Sequence, residues 1–506
     1  MARILPSYTE PYNIAVAVFH LLSLFLIIYL VNLNRLLNST PPEVQKLVPR
    51  RWTQAEIKNT YNRLCKDPIT TASYKAELPP RLQRRYVVTG GSGLLGGYIV
   101  LQLLERGQPP NTIRIVDFQT PHRSDLLCGP GKLVPFYKAD ISSAASTEAA
   151  FDAPWDKSVA DLPLTVFHTA AVIIPSARSP LVNAFCEAVN VHGTAHVLAS
   201  ARNAGADVFI STSSASIAVQ PVEFWAAPWK WRHHPQNSAQ ILDESDFFRP
   251  LQAHDEFWGN YPASKAKAER MVCNANAKEL RTGCIRPANG VYGHPSDNLL
   301  GAPLSMQIYP QWVRNNVQSF VHGVNCALAH LQLEAVLAKP DSYTAPQAGR
   351  PFCITDPNPP IYYGDLHNVL SMLARTPFRI VTIPPVLMLL LSYAVEFYNL
   401  LPLRVPFLAG SLPRLPGGLV YLEPGLFTIC THLVGNMNEA CKPVEQGGLG
   451  YRGVLTTLEG MCQELVDWNR EQEEHAKEGL KAHYRSSVFL AEEIRKGGGT
   501  LIAVGT

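Results

Sequence analysis

The chain has 506 residues, enough for one large domain with accessory segments or for two domains. Its net charge is only +3, from 44 Lys and Arg against 41 Asp and Glu, so no overall basic field indicates a nucleic-acid partner. The ten cysteines form no CxxC pair, which argues against a metal site or a disulfide framework and favours a reducing compartment.

The first element is an apolar run at residues 14–33. It contains only three clearly polar side chains, His20, Ser23 and Asn32, and its twenty residues match a helix that crosses a hydrocarbon core of ~30 Å. The run is longer than the core of a cleaved signal peptide, and no small-residue cleavage pattern follows it. We therefore predict a transmembrane helix and assign residues 1–36 to a membrane anchor.

The charges that flank this run predict its orientation. Only Arg3 and Glu10 precede it, whereas four basic residues follow: Arg35, Lys46, Arg50 and Arg51. By the positive-inside rule the long C-terminal part is cytosolic. Asn38, the first residue of a glycosylation sequence, should therefore be unglycosylated. Residues 37–80 are polar and punctuated by proline, which predicts a juxtamembrane linker with a short helix around 53–65.

Residues 86–97 have the pattern of a strand, a tight loop and the start of a helix. An apolar run that begins at Tyr86 is followed by glycines at positions 90, 93 and 96 and by a helical pattern that begins at Leu94. In such a loop the glycines allow the turn, the approach of a diphosphate and the packing of the helix on the strand. The N–H groups of the helix start attract the negative charge. The same glycines also occur in ordinary turns, so the surrounding elements decide.

A second strand at 112–117 ends in Asp117, which lies 21 positions after Gly96. This is near the ~20-residue spacing at which a carboxylate binds the adenosine ribose of NAD. The 2′-phosphate of NADP would be repelled by that charge. Arg114 and Arg123 are near in sequence and would weaken the preference, so we expect NAD, with NADP as the alternative.

Further strands are predicted at 134–139, 164–171 and 207–214, with a long helix at 181–203 between the last two. Strands that alternate with helices at this spacing indicate an α/β fold, a doubly wound parallel Rossmann sheet that binds its ligand at the C-terminal strand ends. We interpret His168 as a core histidine without a chemical role.

Tyr261 and Lys265 lie four positions apart at the start of a predicted helix. Residues at this spacing share one helix face, so the ammonium group can favour the phenolate and make a base from a weak acid. The spacing alone is common on solvated helices, and its weight comes from its position after the strand that ends in Ser213 and Ser214.

These motifs together resemble the extended short-chain dehydrogenases/reductases. They occur in that family's order over about residues 86–356: 89–96, Asp117, 166–171, 190–194, 212–215, 261–265 and 286–293. Within the superfamily the chain is most similar to the 3β-hydroxysteroid dehydrogenase group, which includes the membrane-bound sterol-4α-carboxylate 3-dehydrogenases. The softer subfamily signals are residues 324–330, 349–356 and 449–452.

The resemblance implies a role for each matching residue. Tyr261 is the base, Lys265 lowers its pKa and holds the nicotinamide ribose, and Ser214 hydrogen-bonds the reacting oxygen, with Ser213 as the neighbouring candidate. Asn190 supports the site through backbone or water contacts. The cofactor-binding residues are Thr89, Gly90, Gly91, Ser92, Gly93, Leu94, Leu95, Gly96, Asp117, Asp140, Ile141, Ala170, Ala171, Tyr261, Lys265 and Pro287.

The expected activity is the NAD(P)-dependent oxidation of the 3β-hydroxyl of a sterol or triterpenoid, with or without loss of a 4α-carboxylate. The expected location is the endoplasmic reticulum membrane, and the expected partners are a hydrophobic small molecule, the membrane and a second copy of the chain. Three alternatives stay open: a dehydrogenase with coupled Δ5-Δ4 isomerisation, a carbonyl reductase or nucleotide-sugar epimerase of the same superfamily, and a non-catalytic cofactor-binding scaffold.

Two regions are harder to interpret from sequence. The segment between Ser214 and Tyr261 is rich in tryptophan, with Trp225, Trp229 and Trp231, and fits a substrate lid, a membrane-interface patch or an ordinary surface loop equally well. The run 380–407 contains Glu396, which is costly at bilayer depth, so it fits an interfacial helix, a cavity wall or ordinary packing helices.

The remaining domain division follows from these assignments. Residues 81–375 form the dehydrogenase domain, which includes substrate-binding parts. A smaller C-terminal substrate-binding portion accompanies the Rossmann sheet. Residues 376–435 form an apolar segment that is a candidate for membrane association. Residues 436–506 form a C-terminal helix and tail, with the helix at 455–468, a charged tail at 470–477 and a loose glycine-rich end at 497–499.

Overall fold

The structure of the chain, a computed structural model, describes residues 11–48, 50–306, 308–408 and 410–478. Its centre is a seven-stranded sheet in which every pairing is parallel. The strands are β1 Arg85–Thr89, β2 Ile113–Asp117, β3 Phe136–Lys138, β4 Leu164–His168, β5 Ala206–Thr212, β6 Arg281–Pro287 and β7 Pro351–Ile354. They lie in the order β7-β6-β5-β4-β1-β2-β3. The sheet therefore switches direction between β1 and β4, where doubly wound folds bind their ligands.

Helices cover both faces of this sheet. The helices used below are α1 Pro11–Leu37, α2 Gln54–Lys66, α3 Leu94–Glu105, α4 Ala144–Asp152, α5 Gly193–Asn203, α6 Asn260–Asn274, α7 Gly323–Leu337, α8 Tyr363–Leu373, α9 Pro385–Arg404, α10 Pro424–Ile429 and α11 Thr457–Glu478. Helices α3 and α7 pack on one face through residues such as Leu103 and Leu331, and α5 and α6 pack on the other through Val197 and Val272. This arrangement confirms the predicted doubly wound α/β fold.

The rest of the described chain adds small sheets and short helices around this core. A four-stranded sheet joins Ile361–Tyr362, Val317–Gln318, His432–Gly435 and Ala239–Leu242, and two strand pairs join Val321–His322 with Val291–Tyr292 and Arg379–Thr382 with Ile308–Gln311. Further short helices are Pro42–Gln45, Ala184–Cys186, Gly301–Leu304 and Asn438–Cys441. Several of these pieces come from the C-terminal third, so that part builds onto the sheet rather than standing apart.

The predicted linker at 37–80 is packed against the domain. Helix α2 begins with a capping box at Thr53, and its Ile57 and Leu64 are fully buried in a cluster with Leu465 of α11. Tyr74 and Leu78 pack against Leu328 of α7. The short helix predicted around 53–65 is present as α2, and the polar, proline-rich composition of the segment gave no sign of these apolar contacts.

Two helix boundaries also differ from the predictions. The predicted helix 181–203 is interrupted by a π-helical turn at Glu187–His192, a feature that often marks functional sites. Helix α11 continues to Glu478 through the region predicted as a charged tail, because its charged residues pair along the helix, as Arg470 does with Asp467. The glycines at 497–499 lie outside the described residues.

Candidate active site

A cavity of about 580 Å³ opens at the C-terminal ends of the parallel strands, as the fold requires. The cofactor-binding residues that line it are Gly90, Gly93, Leu94, Leu95, Gly96, Asp117, Asp140, Ile141, Ala170, Ala171, Tyr261, Lys265 and Pro287, and Ser214 lines it as well. Thr89, Gly91 and Ser92 lie behind this surface, and their contacts shape the glycine loop. The sheet thus brings together residues that are up to almost two hundred positions apart.

The glycine loop fits a diphosphate. Gly90 has a φ of +74°, and a Cβ placed there would lie 2.6 Å from the nitrogen of Ala170. A Cβ on Gly96 would lie 2.3 Å from the carbonyl oxygen of Gly90, so these two positions exclude a side chain. Gly93 is different, since its Cβ would meet only one atom, at 3.3 Å, and would otherwise project into the cavity. The open space beside Gly93 and the unpaired N–H groups of the first turn of α3 form an anion-binding cradle.

Asp117 lies at the end of β2, beside this loop. Its carboxylate accepts hydrogen bonds from the backbone N–H of Ser92 at 3.0 Å and of Gln119 at 3.3 Å. Burial raises the pKa of the Asp117 carboxyl above its ordinary value, and the backbone donors oppose that shift. Because each oxygen can accept a further bond, the carboxylate is able to receive the two hydroxyls of a ribose.

Neither nearby arginine reaches the cleft, which corrects the expectation that they weaken the preference for NAD. Arg114 points into the core, where it donates to the carbonyl oxygens of Ala150 and Ala153. Arg123 is 1% exposed, and its guanidinium is held by Asp125 and by the carbonyl oxygen of Leu94. Both cations are already satisfied by the fold, so neither is available for a 2′-phosphate.

The wall opposite Asp117 is built from small residues and internal contacts. Ala170 and Ala171 line the cavity after β4, and His168 at the end of that strand bonds the hydroxyls of Thr89 at 2.7 Å and Thr194 at 3.0 Å. Burial lowers the pKa of His168 to about 3. The ring is therefore neutral and structural, as predicted from the sequence.

The two adjacent serines have different partners. Ser213 donates to the buried carboxylate of Glu269 at 2.5 Å, whereas the hydroxyl of Ser214 lies 2.8 Å from that of Ser216 and also bonds Tyr261. Both serines line the cavity, but the hydroxyl of Ser213 is already bound to a buried carboxylate. The geometry therefore supports Ser214 as the serine that faces the reacting oxygen.

Tyr261 and Lys265 lie on the first turns of α6, and both side chains are buried. Burial raises the pKa of the Tyr261 phenol to about 12, and its hydrogen bond with Ser214 works in the opposite direction. Burial lowers the pKa of Lys265 to about 8, and its ammonium donates to the carbonyl oxygen of Thr212 at 2.6 Å. Burial is the largest cause of the shift in Tyr261, and Lys265 is not among its causes, so the lowering of the phenol pKa by Lys265 stays a prediction.

Asn190 lies within the π-helical turn and does not line the cavity. Its side chain bonds both backbone groups of Val172, N–H to Oδ1 at 2.9 Å and Nδ2 to the carbonyl at 3.1 Å, and also donates to Ser264 of α6 at 3.0 Å. It therefore ties the loop after β4 to the helix that carries Tyr261 and Lys265. This is a positioning role through backbone contacts.

The apolar part of the cavity lining was not predicted from the sequence. It consists of aromatic and aliphatic residues from separate segments: Trp258, Tyr309, Trp312, Leu426 and Ile429. Trp312 stacks on Phe427 at 5.4 Å between ring centroids. The position of Trp258 three residues before Tyr261 was the one local signal that could have identified a member of this set.

The two serines provide a direct test. We expect Ser214→Ala to lower kcat by roughly 10²–10³-fold, the usual effect of losing one transition-state hydrogen bond, with little change in the free energy of unfolding. Ser213→Ala should instead cost about 1–3 kcal/mol of stability, since Glu269 loses a buried donor, with a smaller effect on kcat. Steady-state NADH formation and urea unfolding of both variants distinguish the roles, and equal loss of kcat would contradict the assignment.

The Rossmann sheet, the glycine loop and the Ser214, Tyr261 and Lys265 group define a nicotinamide-dependent dehydrogenase of the short-chain type. The family model described as the 3-beta hydroxysteroid dehydrogenase/isomerase family matches residues 87–375, more than half of the chain. The chain therefore belongs to that family, which confirms the predicted oxidoreductase activity and the predicted nicotinamide dinucleotide cofactor.

Similar proteins of known name agree with this assignment. A decarboxylating sterol-4-alpha-carboxylate 3-dehydrogenase of Schizosaccharomyces pombe is 27% identical over 62% of this chain and 81% of its own length. The mouse protein of that name is 25% identical, over 75% and 89% respectively. The 3beta-hydroxysteroid-dehydrogenase/decarboxylase isoform 1 of Arabidopsis thaliana is 28% identical, over 66% and 72%. Among solved structures, an epimerase of Methanothermobacter thermautotrophicus aligns with a TM-score of 0.49 at 15% identity, over 82% of this chain and 100% of that one.

Proposed function

We propose that this protein oxidises the 3β-hydroxyl of a sterol or triterpenoid to a 3-ketone with NAD, and that a 4α-carboxylate, where present, is then lost. The observation that carries the proposal is the form of the cavity. The cavity that is lined by the polar group of Ser214, Tyr261 and Lys265 is also lined by the apolar side chains of Trp312, Leu426 and Ile429. A rigid apolar ring system with one polar end matches this combination, and the names of the similar proteins point to the same class.

The residues of the site account for the proton that must leave the hydroxyl. Tyr261 accepts it as the phenolate, which Ser214 stabilises by hydrogen bonding and Lys265 by its charge. Since the pKa of Lys265 is about 8, its ammonium form predominates at pH 7, so the charge is present where Tyr261 needs it. The nicotinamide supplies the hydride acceptor for carbon 3 when it is bound.

Decarboxylation requires no further dedicated residue. Oxidation of a 3-hydroxyl beside a 4α-carboxylate gives a β-keto acid. The bond from carbon 4 to the carboxyl carbon then breaks, and its electron pair moves into the enolate whose oxygen is bound to carbon 3. Ser214 and the now protonated Tyr261 donate hydrogen bonds to that oxygen, and a proton later returns to carbon 4. The same two hydroxyls thus serve both steps.

The preference for NAD over NADP rests on Asp117, and it can be tested without knowing the sterol substrate. Asp117→Asn keeps the shape of the side chain but removes its charge, so we expect NAD affinity to fall by about 1.5–3 kcal/mol, the contribution of charged hydrogen bonds. Affinity for NADP should rise relative to NAD, because the repulsion of the 2′-phosphate is removed. Titration of both cofactors by tryptophan fluorescence measures this, and an unchanged NADP-to-NAD ratio would contradict the role of Asp117.

We also propose that α1 anchors the protein in the endoplasmic reticulum membrane with the catalytic domain in the cytosol. Two helical stretches of the described chain are long and apolar enough to cross a membrane, Pro11–Gln45 with mean hydropathy 2.7 and Pro385–Arg404 with 1.6. In the first, large apolar side chains from Ile14 to Ile28 are exposed. The second contains Glu396, bound by Arg178 at 2.7 and 2.8 Å, which supports a helix at the membrane surface.

The tryptophan-rich segment and α9 meet the end of α1 on one side of the molecule. Tyr29 donates to the carbonyl oxygen of Ala226 at 2.9 Å and Asn32 to that of Trp231 at 2.5 Å. Trp229 is 81% exposed. Tryptophan favours the boundary between lipid and water, so this contact supports a membrane-interface position for the segment. Asn38 itself packs against Asn315, and a glycan on it that is removed by endoglycosidase would overturn the proposed orientation.

The activity is tested with microsomes that contain the full-length protein. They are incubated with NAD and a panel of 3β-hydroxysterols with and without a 4α-carboxylate, and the products are identified by mass spectrometry. Formation of a 3-ketone supports the proposal, and loss of carbon dioxide identifies the carboxylate class. A conjugated enone product would indicate coupled isomerisation instead, and no oxidation of any member would overturn the proposal.

A further inference from the structure

A second cavity, of about 430 Å³, lies beside the catalytic one. Helix α9 forms one of its walls, with Glu396 and Leu400, and the segment around Val222 contributes to the lining. Helix α10 stands between the two cavities, because its Leu426 lines the catalytic cavity and its Thr428 lines the second. Trp258 lines both cavities. The partition between them therefore consists of α10 and the ring of Trp258.

The two parts of this partition differ in how much of the chain they contain. Helix α10 is seated closely, since a Cβ on Gly425 would lie 2.4 Å from the carbonyl oxygen of Ser176. Trp258 is also buried, where it packs with Leu242 and Leu433, but it is a single side chain that lines both cavities. A change of its rotamer is therefore a smaller movement than the displacement of a whole helix, and it would join the two cavities.

Trp258 is also connected to the catalytic group. Its ring is 4% exposed, and its Nε1 donates to the carbonyl oxygen of Ser216 at 2.9 Å. The hydroxyl of Ser216 lies 2.8 Å from that of Ser214. A passage past Trp258 therefore leads directly to the end of the catalytic cavity where the hydroxyl would react.

The α9 wall of the second cavity lies on the membrane side of the molecule. Leu387, Leu390 and Phe397 are exposed on the outer surface of α9, and α9 meets α1, with the backbone N–H of Val386 bonded to Asn34. The lining of the second cavity is partly polar. Arg178 and Glu396 pair there, and His254 has a buried Nε2 without a hydrogen-bond partner among the described residues.

We infer that the second cavity is the port through which the sterol or triterpenoid substrate passes between the membrane side and the catalytic cavity, with Trp258 as the gate. The polar wall suits the hydroxyl or carboxylate end of such a molecule, and the apolar side chains of Val222, Phe224 and Leu400 suit its rings. This inference rests on the proposed function, because it takes the substrate class from it.

The port is tested by substitutions that place a larger side chain in the second cavity, one on α9 and one on the segment around Val222. Leu400→Trp and Val222→Trp each place a large ring in the second cavity, and Ala394→Trp adds the same ring to the exposed side of α9 as a control. Full-length enzyme is assayed with NAD and a 3β-hydroxysterol supplied in phosphatidylcholine vesicles. We expect kcat/KM to fall by about tenfold or more in both filled variants, because a narrower route slows association, while kcat at saturating sterol is retained.

The outcomes separate the two proposals. NAD binding and thermal unfolding first show that each variant is folded. If the wild type is active and the folded Leu400→Trp and Val222→Trp variants keep its kcat/KM, the port is overturned but the proposed function is not. The port is also overturned if kcat falls as much as kcat/KM in these variants. An equal effect of Ala394→Trp also overturns it, since the ring then acts from outside the cavity. A wild type that oxidises no 3β-hydroxysterol overturns the proposed function and the port with it.

Discussion

Replacing Tyr261 by phenylalanine lowers kcat by ~10²–10⁴, the usual contribution of a positioned general base. The substitution removes only the phenolic oxygen, so the ring still fills its buried place on α6. Binding of NAD should be nearly unchanged, because the glycine loop and Asp117 hold the other end of the cofactor. The measurement is NADH formation at saturating sterol, together with a fluorescence titration of the cofactor.

Tyr309→Phe is the matched control for this variant. Tyr309 lines the same cavity, and burial likewise raises the pKa of its hydroxyl, but it comes from a separate segment and is not part of the Ser214 and Lys265 group. It should lose far less activity than Tyr261→Phe. If the two variants lost activity equally, or if Tyr261→Phe stayed active, the assignment of Tyr261 as the base would be wrong.

Local patterns were sufficient for five of the seven strands of the sheet, whereas β6 was not predicted as a strand and β7 was singled out only as part of the subfamily signal at 349–356. Strands β1, β2, β4 and β5 are short apolar runs bounded by turn residues, and the glycine loop and the Tyr261–Lys265 spacing depend on neighbours within a few positions. Their placement at one edge then follows from the rule that parallel strands align their carboxyl ends. For this reason most of the residues that the sequence assigned to the cofactor lie around one cavity, and their role in binding the cofactor stays a prediction.

Some residue roles could not be predicted from local sequence, because they depend on contacts with residues from other elements of the fold. Ser213 and Ser214 are adjacent, and their roles separate only through Glu269, which lies 56 positions from Ser213. Arg123 is near Asp117 in sequence, yet Asp125 and the carbonyl oxygen of Leu94 hold it in the core. No local pattern contains such information.

The apolar part of the cavity lining illustrates the same limit. Trp312 and Leu426 come from segments more than a hundred positions apart, and they meet because both pack around Phe427. Each alone looks like an ordinary apolar residue in a region of mixed composition. Their joint position against α9 and the end of α1 is a consequence of tertiary packing, as are the contacts that Ile57, Leu64, Tyr74 and Leu78 make with the rest of the chain.

The ion pair behind the site leads to the largest expected effect on stability. Arg286, which precedes Pro287 of the cavity wall, binds Glu269 at 2.6 and 2.8 Å. Both side chains are 1% exposed. Arg286 also binds Asp246 at 2.5 and 2.9 Å. We expect Arg286→Met to lower the free energy of unfolding by about 3–5 kcal/mol, because it leaves Glu269 buried with a charge that only Ser213 can partly satisfy.

A second substitution separates the lost charge pair from lost packing. In Arg286→Met with Glu269→Met the buried carboxylate is gone, and apolar replacements of a buried pair are often close to neutral, so much of the lost stability should return. Arg470→Met is the exposed control, since its pair with Asp467 is at the surface and should contribute no more than about 1 kcal/mol. Urea unfolding of the three variants at pH 7 measures the differences. If the double variant is less stable than Arg286→Met, the pair stabilises the fold by its packing and not by its charge. The hydrogen bond from Ser213 to the Glu269 carboxylate would then not account for a structural role of Ser213.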